Sequence, residues 1–225
     1  MQAGSQEWQT LLSEEALRMG LRLDPIALGR MARHAQVLLE WNRTTNLTAI
    51  TDPVEVAVKH FLDAILPSAH IPTNGQLLDI GTGGGFPGIP LKILRPDQPM
   101  TLIDGSRKKI NFVKHVIRHL GLENIEAHQV RAELLCGHPE NQGRFAIIVC
   151  RAVSDLSAMA RLALPLLAPR GRLFLYQGPS DAPRRTDGGT DFGQGMTVQA
   201  SVQYRLPILG DQRTLVVLAK TGNEN

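Results

Sequence analysis

The segment that most restricts the fold is a short apolar run that breaks into glycine. Leu77-Leu78-Asp79-Ile80 leads into Gly81-Thr82-Gly83-Gly84-Gly85-Phe86-Pro87-Gly88 and then Ile89-Pro90-Leu91. A brief, largely apolar run bounded by glycines is the pattern of a strand buried on both faces, as in a parallel sheet. Glycines at its carboxyl end let the backbone approach a ligand in conformations barred to other residues. The plain alternative is a glycine-rich turn that holds nothing.

The letters of the loop separate the nucleotide-binding possibilities. A phosphate-cradling P-loop requires Gly-Lys-Ser/Thr after four spacers, whereas Gly83 leads to Gly88-Ile89. A dinucleotide loop has its third glycine where Phe86 stands, and a phenyl ring there opposes close helix–strand packing. What remains, Asp79-x-Gly81-x-Gly83-x-Gly85, resembles motif I of S-adenosylmethionine-dependent methyltransferases. Asp104 closes the next apolar run, Met100–Asp104. A carboxylate there can accept from both hydroxyls of an adenosine ribose. NAD would use the same acid, so Asp104 alone does not discriminate between the cofactors.

Around this junction the chain divides in two. Residues 1–70 show helix punctuation and little strand signal. Trp8, Leu11, Leu12 and Leu17 suggest one helix, and Asp24-Pro25 and Asp52-Pro53 each pair an N-cap with proline at the first helical position. After the second, Val54, Ala57, Val58, Phe61, Leu62 and Ile65 recur at helical spacing, with Pro67 helping to stop the run. About three helices are expected, forming an N-terminal cap on a second domain over 71–225. From Gln76 the period changes. Strands at 77–80, 100–104, 125–130, 145–149 and 172–176 alternate with helices near 87–94, after Ser106, and from Asp155 to an interruption at Pro165. Such alternation predicts a doubly wound, mostly parallel α/β sheet. Residues 197–206 and 214–220 suggest a closing antiparallel pair, and the Gly-, Asp-, Pro- and Arg-rich stretch 178–195 a mobile loop.

Composition narrows the class. With 43% hydrophobic and 20% charged residues, the 225-residue chain is ordinary globular protein, not disorder. Two cysteines, Cys136 and Cys150, exclude a cysteine-rich zinc site or disulfide framework, and no metal site is expected. The polar first ten residues carry no secretory signal, and no apolar run is long enough to span a bilayer, so a cytoplasmic protein is expected. Aromatic residues are only 4%, which disfavours single-strand binding on stacked rings. Local charge is more telling than the net +3. Arg107, Lys108, Lys109, Lys114 and Arg118 share one predicted helix, opposite Ile110, Val113, Ile117 and Leu120.

The stretch from Asp79 to Leu91 is more specific than a bare glycine motif. It resembles the bacterial small-subunit ribosomal RNA guanine-N7 methyltransferase family, also called glucose-inhibited division protein B. Trp41-Asn42, Asn46-Leu47-Thr48-Ala49-Ile50 and His60-Phe61-Leu62-Asp63 fit upstream. Leu102-Ile103-Asp104, Lys108-Lys109, Phe112, Arg131-Ala132-Glu133 and Arg151-Ala152-Val153 fit downstream, so the likeness spans roughly 35–178. Gly105, Lys109 and Gln177-Gly178 depart from the family's usual Ser, Arg and Lys-Gly.

The resemblance implies a Rossmann-like methyltransferase that moves a methyl group from S-adenosylmethionine to guanine N7 of 16S rRNA. It implies cofactor contacts from Asp79, Gly81, Thr82, Gly83, Gly85 and Phe86, then Asp104 and Ser106, then Ala132 and Glu133, and finally Arg151. The expected acceptor contacts are Arg107, Lys109, Lys114, Arg131 and Arg151, reaching 16S rRNA or the 30S subunit from a monomer. N7 attacks with a free lone pair and loses no proton, so no general base is expected. His60 and Asp63, one helical turn apart, read as a structural pair. Two other readings stay open: a small-molecule methyltransferase, and an RNA-binding module without catalysis.

Overall fold

The computed structural model describes residues 1–151, 155–178 and 195–221. Ala152 and Val153, and residues 179–194 of the expected loop over 178–195, lie outside the described residues. The front of the chain is helical: α1 (Gln6–Arg18), α2 (Pro25–Thr45), and a continuous run of α3 (Pro53–Glu55), a π-helical stretch (Val56–Leu62), α4 (Asp63–Ile65) and a 3-10 turn (Leu66–His70). The predicted caps form. Asp24 Oδ1 accepts from Ala27 N at 2.8 Å, and Asp52 Oδ1 accepts from Val54 and Glu55 N at 2.9 and 3.0 Å. Asn46, in the left-handed region at φ 49°, ends α2. Pro67 does not stop the third helix outright; it sits in the first turn of the 3-10 segment.

Alternation follows: β1 (Leu77–Ile80), α5 (Gly88–Leu94), β2 (Met100–Asp104), α6 (Arg107–His119), β3 (Ile125–Gln129), α7 (Ala132–Cys136), β4 (Phe145–Arg151), α8 (Leu156–Leu166), β5 (Leu167–Gln177), β6 (Met196–Arg205) and β7 (Gln212–Lys220). Pro165 falls in the last turn of α8, and β5 begins directly after it, earlier than the apolar run suggests. The sheet order is β3-β2-β1-β4-β5-β7-β6. The first five strands are parallel, and β7 runs antiparallel to both β5 and β6.

The sheet is covered on both faces, as its side-chain alternation requires. Leu77, Leu102, Val149, Phe174 and Val217 join the core that contains Trp8, Leu12, Met31, Leu38 and Phe61 of the helical front. Leu78, Ile103, Cys150, Leu173 and Val216 point the other way, toward Ala160 and Ala163 of α8. The front is tied down by specific contacts: Trp8 Nε1 donates to Pro53 O at 2.9 Å, and its ring meets Phe61 edge-on at 5.3 Å. Among the described residues, no helix is long and apolar enough to cross a membrane.

Candidate cofactor and acceptor site

The glycine loop at the carboxyl end of β1 is shaped by backbone bonds. Gly81 and Thr82 N donate to Ile103 O at 2.9 and 3.0 Å, and Gly85 and Phe86 N both donate to Thr82 O at 2.8 Å. Gly81, Gly83 and Gly85 have φ of 72°, 58° and 88°, the left-handed region that disfavours a side chain. Asp79 lies beneath the loop, fully buried, with Oδ2 accepting from Gly88 N at 2.9 Å. Burial pushes its carboxyl up to about 6, against the opposing pull of Thr82, Gly88 N and Arg151. The Thr82 hydroxyl is near, yet neither it nor Asp79 Oδ1 closes a hydrogen bond. Asp79 is therefore a support for the loop and not part of either pocket wall described next.

The first pocket, about 370 Å³, opens between the ends of β1, β2 and β3 and includes Gly81, Asp104, Gly105, Arg131, Ala132 and Glu133. Asp104 Oδ2 accepts from Gly83 N at 3.1 Å and Oδ1 from Ser106 N at 2.8 Å. Each carboxylate oxygen keeps a further acceptor site. Ser106 caps α6 through Lys109 N, so it supports the pocket without lining it. A Cβ on Gly81 would meet no protein atom within 4 Å, and one on Gly83 only Gly81 O at 3.9 Å. Open space over these two glycines, an acid with spare acceptor capacity and apolar lining from Ile103, Val130, Met159 and Leu162 suit S-adenosylmethionine.

The second pocket, about 130 Å³, shares Gly81 and is walled by Leu38, Thr48, His60, Phe86 and Arg151. Phe86 is the middle ring of a stack, with His34 4.8 Å away on α2 and His60 at 4.6 Å from the π-helical stretch. His34 Nε2 bonds Gly84 O at 2.9 Å, leaving Nδ1 without a partner. Burial lowers His34 to about 4, its bond to Gly84 opposing the shift, and lowers His60 to about 3 with help from Arg151 and His34. Both imidazoles are neutral at physiological pH.

Arg151, expected at the site, lines the second pocket and is at the same time engaged by protein groups. Its guanidinium lies 5.3 Å over the Phe86 ring, donates to Lys59 O at 2.9 Å, meets His60 Nδ1 at 3.3 Å and sits 3.6 Å from Asp63 Oδ2. It is a buttress of the pocket wall, and any ligand contact must compete with these partners. His60 and Asp63 do not pair with each other; they meet through Arg151. Asp63 is also held by Tyr204 OH at 2.9 Å and by Arg213 at 3.5 Å. Burial raises its carboxyl, and these partners pull it back.

The basic helix is as the wheel predicts. Ile110, Val113 and Leu120 are buried, while Arg107, Lys108, Lys114 and Arg118 are exposed and Lys109 is half-buried. Among the described residues none of these five cations is in a salt bridge. Arg131 belongs elsewhere: its side chain would touch a Cβ on Gly105 at 3.2 Å, so it borders the first pocket. His34 and Thr48 were not singled out as site residues by their local sequence, although Thr48 lies in the Asn46-Leu47-Thr48 motif. A larger hollow of about 710 Å³, bordered by Gln36, Glu40, Arg43 and Thr51, lies on the helical front without touching the glycine loop.

A parallel core with an antiparallel β7–β6 edge, a glycine loop after β1 and an acid ending β2 defines a Rossmann-like S-adenosylmethionine-dependent methyltransferase. A methyltransferase of this kind from Aquifex aeolicus shares the fold, with a TM-score of 0.54 at 16% identity over 80% of this chain and 97% of that one. The family profile described as rRNA small subunit methyltransferase G (GidB) matches residues 28–214, and the chain belongs to that family. Relatives bearing the name Ribosomal RNA small subunit methyltransferase G include those of Geotalea uraniireducens and Deinococcus deserti. The first is 40% identical, covering 95% of this chain and 97% of the relative, and the second is 38% identical, covering 93% and 87%.

Proposed function

We propose that the protein transfers the methyl group of S-adenosylmethionine to N7 of a guanine in 16S rRNA, free or within the 30S subunit, acting as a monomer in the cytoplasm. The observation that carries this reading is the meeting of two pockets at Gly81, both within the matched family region. When bound, S-adenosylmethionine supplies a methyl group on a sulfonium. Asp104 would accept from the ribose hydroxyls, and the Ala132 amide and Glu133 carboxylate, which line the same pocket, would hold the adenine edge. Gly81 and Gly83, open where a side chain would stand, would let the loop run close to the methionine portion.

The acceptor enters the second pocket, where Thr48, Leu38 and Phe86 form part of the wall. Guanine N7 offers an in-plane lone pair and no proton leaves it, so the chain needs no base. The residues accord with this: His60 has both nitrogens engaged, and Asp63 is enclosed by Arg151, Arg213 and Tyr204. Rate enhancement then rests on positioning, which can supply roughly 7–11 kcal/mol. Arg107, Lys109, Lys114 and Arg131 supply phosphate contacts outside the pocket.

Asp104→Ala should weaken S-adenosylmethionine binding at least about tenfold, since a hydrogen bond to a charged group is worth about 1.5–3 kcal/mol. Calorimetry on the folded variant tests this, and unchanged affinity would remove Asp104 from the cofactor set. The acceptor is tested by methyl transfer to 30S subunits and to free 16S rRNA, with the product base identified by mass spectrometry. N7-methylguanine is expected; methylation of protein or metabolite with both RNA forms unmodified would overturn the acceptor assignment.

A further inference from the structure

The second pocket is lined by a hydroxyl whose two lone pairs are both occupied by the protein. Thr48 Oγ1 accepts from Ile50 N at 3.0 Å and lies 2.9 Å from His60 Nε2. The direction of the second bond follows from the other side of the ring. His60 Nδ1 faces Arg151 NH2 at 3.3 Å, and a guanidinium only donates, so Nδ1 accepts and the ring proton resides on Nε2. Arg151 cannot turn away easily, because Lys59 O and Asp63 hold it. His60 Nε2 therefore donates to Thr48 Oγ1. A hydroxyl has two acceptor lone pairs and one proton. With both lone pairs taken, the proton is all that Thr48 has left to offer, and no described residue accepts it.

The backbone around Thr48 is equally constrained. Asn42 Oδ1 accepts from Leu47 N at 2.7 Å and Thr48 N at 3.0 Å, while Asn42 Nδ2 donates to Thr48 O at 3.0 Å. Thr48 shares the pocket wall with Phe86, Gly81 and Arg151. The result is a fixed donor at the place where the acceptor base must enter.

We propose that Thr48 is a specificity-determining residue that donates its hydroxyl proton to O6 of the acceptor guanine, with His60 and Arg151 as the positioning residues that make this hydroxyl a donor only. The proposal rests on the guanine-N7 reading above. Guanine presents N7 and O6 side by side, both acceptors, whereas adenine presents N7 beside an amine donor. An ordinary threonine can serve either base. One whose lone pairs are occupied pairs with O6 and confronts the adenine amine donor to donor. A single bond to O6 also leaves N7 free to attack, which a bidentate arginine on both atoms would prevent. As the methyl group joins N7, positive charge spreads into the purine and O6 becomes a poorer acceptor. The bond is strongest before transfer, so its loss belongs in KM more than in kcat.

The test uses 30S subunits reconstituted with 16S rRNA carrying guanine or 2-aminopurine at the methylated position; 2-aminopurine keeps N7 and lacks O6. Thr48→Val should raise KM for the guanine substrate about 5- to 30-fold. Its kcat should stay within about threefold and its S-adenosylhomocysteine affinity within about twofold, because the charged and cofactor contacts are untouched. Thr48→Ser should restore the wild-type KM. The wild-type enzyme should suffer on 2-aminopurine the same penalty that Thr48→Val suffers on guanine, and the variant should show no further loss on 2-aminopurine. The wild-type comparison stands even if Thr48→Val disturbs the pocket. Equal wild-type KM on both bases, or penalties that multiply in the variant, would overturn the assignment. A wild-type protein that binds S-adenosylhomocysteine but methylates no 16S rRNA would instead overturn the acceptor reading beneath it.

Discussion

Replacing Arg107, Lys109 and Lys114 together by glutamine is expected to raise the dissociation constant for 16S rRNA on the order of a hundredfold at 0.1 M salt. The three cations lie along α6, exposed or half-buried and outside any salt bridge among the described residues. Each phosphate neutralised on a single strand releases counterions with a slope of about 0.7 in log K against log salt. Three contacts therefore contribute roughly two logarithmic units at 0.1 M and a matching share of the salt dependence. Cofactor affinity should stay within about twofold, because these side chains are absent from the walls of both pockets. Binding measured between 50 and 200 mM salt decides the matter, those concentrations spanning the range where such slopes are steep. Parallel slopes for wild type and variant would reduce the cluster to a solvated helix face. Arg131 should be tested separately: beside Gly105 it adjoins the first pocket, and its removal is expected to weaken both ligands.

His34→Gln should change how stability depends on pH by about 3 kcal/mol between pH 7 and pH 4. The imidazole is fully buried and lowered to about 4 by desolvation. An unfolded histidine titrates near 6.5, so between these values the unfolded chain binds more protons than the folded one. Wild-type stability is accordingly lost as pH falls from 6.5 toward 4, by about 1.4 kcal/mol per pH unit for this residue. Glutamine can still offer an N–H to Gly84 O but does not titrate. His60 moves in the same direction and is present in both proteins. His34 contributes only the smallest part of its shift, after burial and Arg151, so the difference between wild type and variant reports chiefly on His34. Urea unfolding at several pH values would measure it. A difference that is flat with pH would mean the imidazole protonates freely in the folded protein.

The parts of the fold that were legible in the sequence are those fixed by local chemistry. Strand ends at Leu77–Ile80 and Met100–Asp104 follow from short apolar runs that glycine or aspartate closes. The starts of α2 and α3 follow from Asp-Pro pairs that supply both a cap and a preset φ. The glycine loop and Asp104 converge on one pocket because a parallel sheet aligns the carboxyl ends of its strands. Less legible was the π-helical stretch Val56–Leu62, whose apolar spacing reads as an ordinary α-helix. Its register is set by what surrounds it. The His60–Asp63 pair was misjudged for the same reason, since Arg151 comes from β4 and Tyr204 from β6, neither visible in local spacing. His34 carries no local signal, and only the positions of Phe86 and Gly84 give it a role. Thr48 was visible as part of a motif, but its restriction to donating depends on a tautomer that Arg151 dictates.

The Asp63–Tyr204 bond joins residues 141 positions apart, and the His60–Arg151 contact residues 91 apart. On the ribosome, the helical front leaves the exit tunnel long before its partners in β4 and β6 are made. Its helices can form early, yet the charge of Asp63 stays without Tyr204 and Arg213 until the closing hairpin arrives. The first segment synthesised is therefore among the last to be locked. A nascent chain arrested before β6 would hold a complete glycine loop beside a pocket whose Arg151 buttress lacks the bracing of Asp63 by Tyr204 and Arg213.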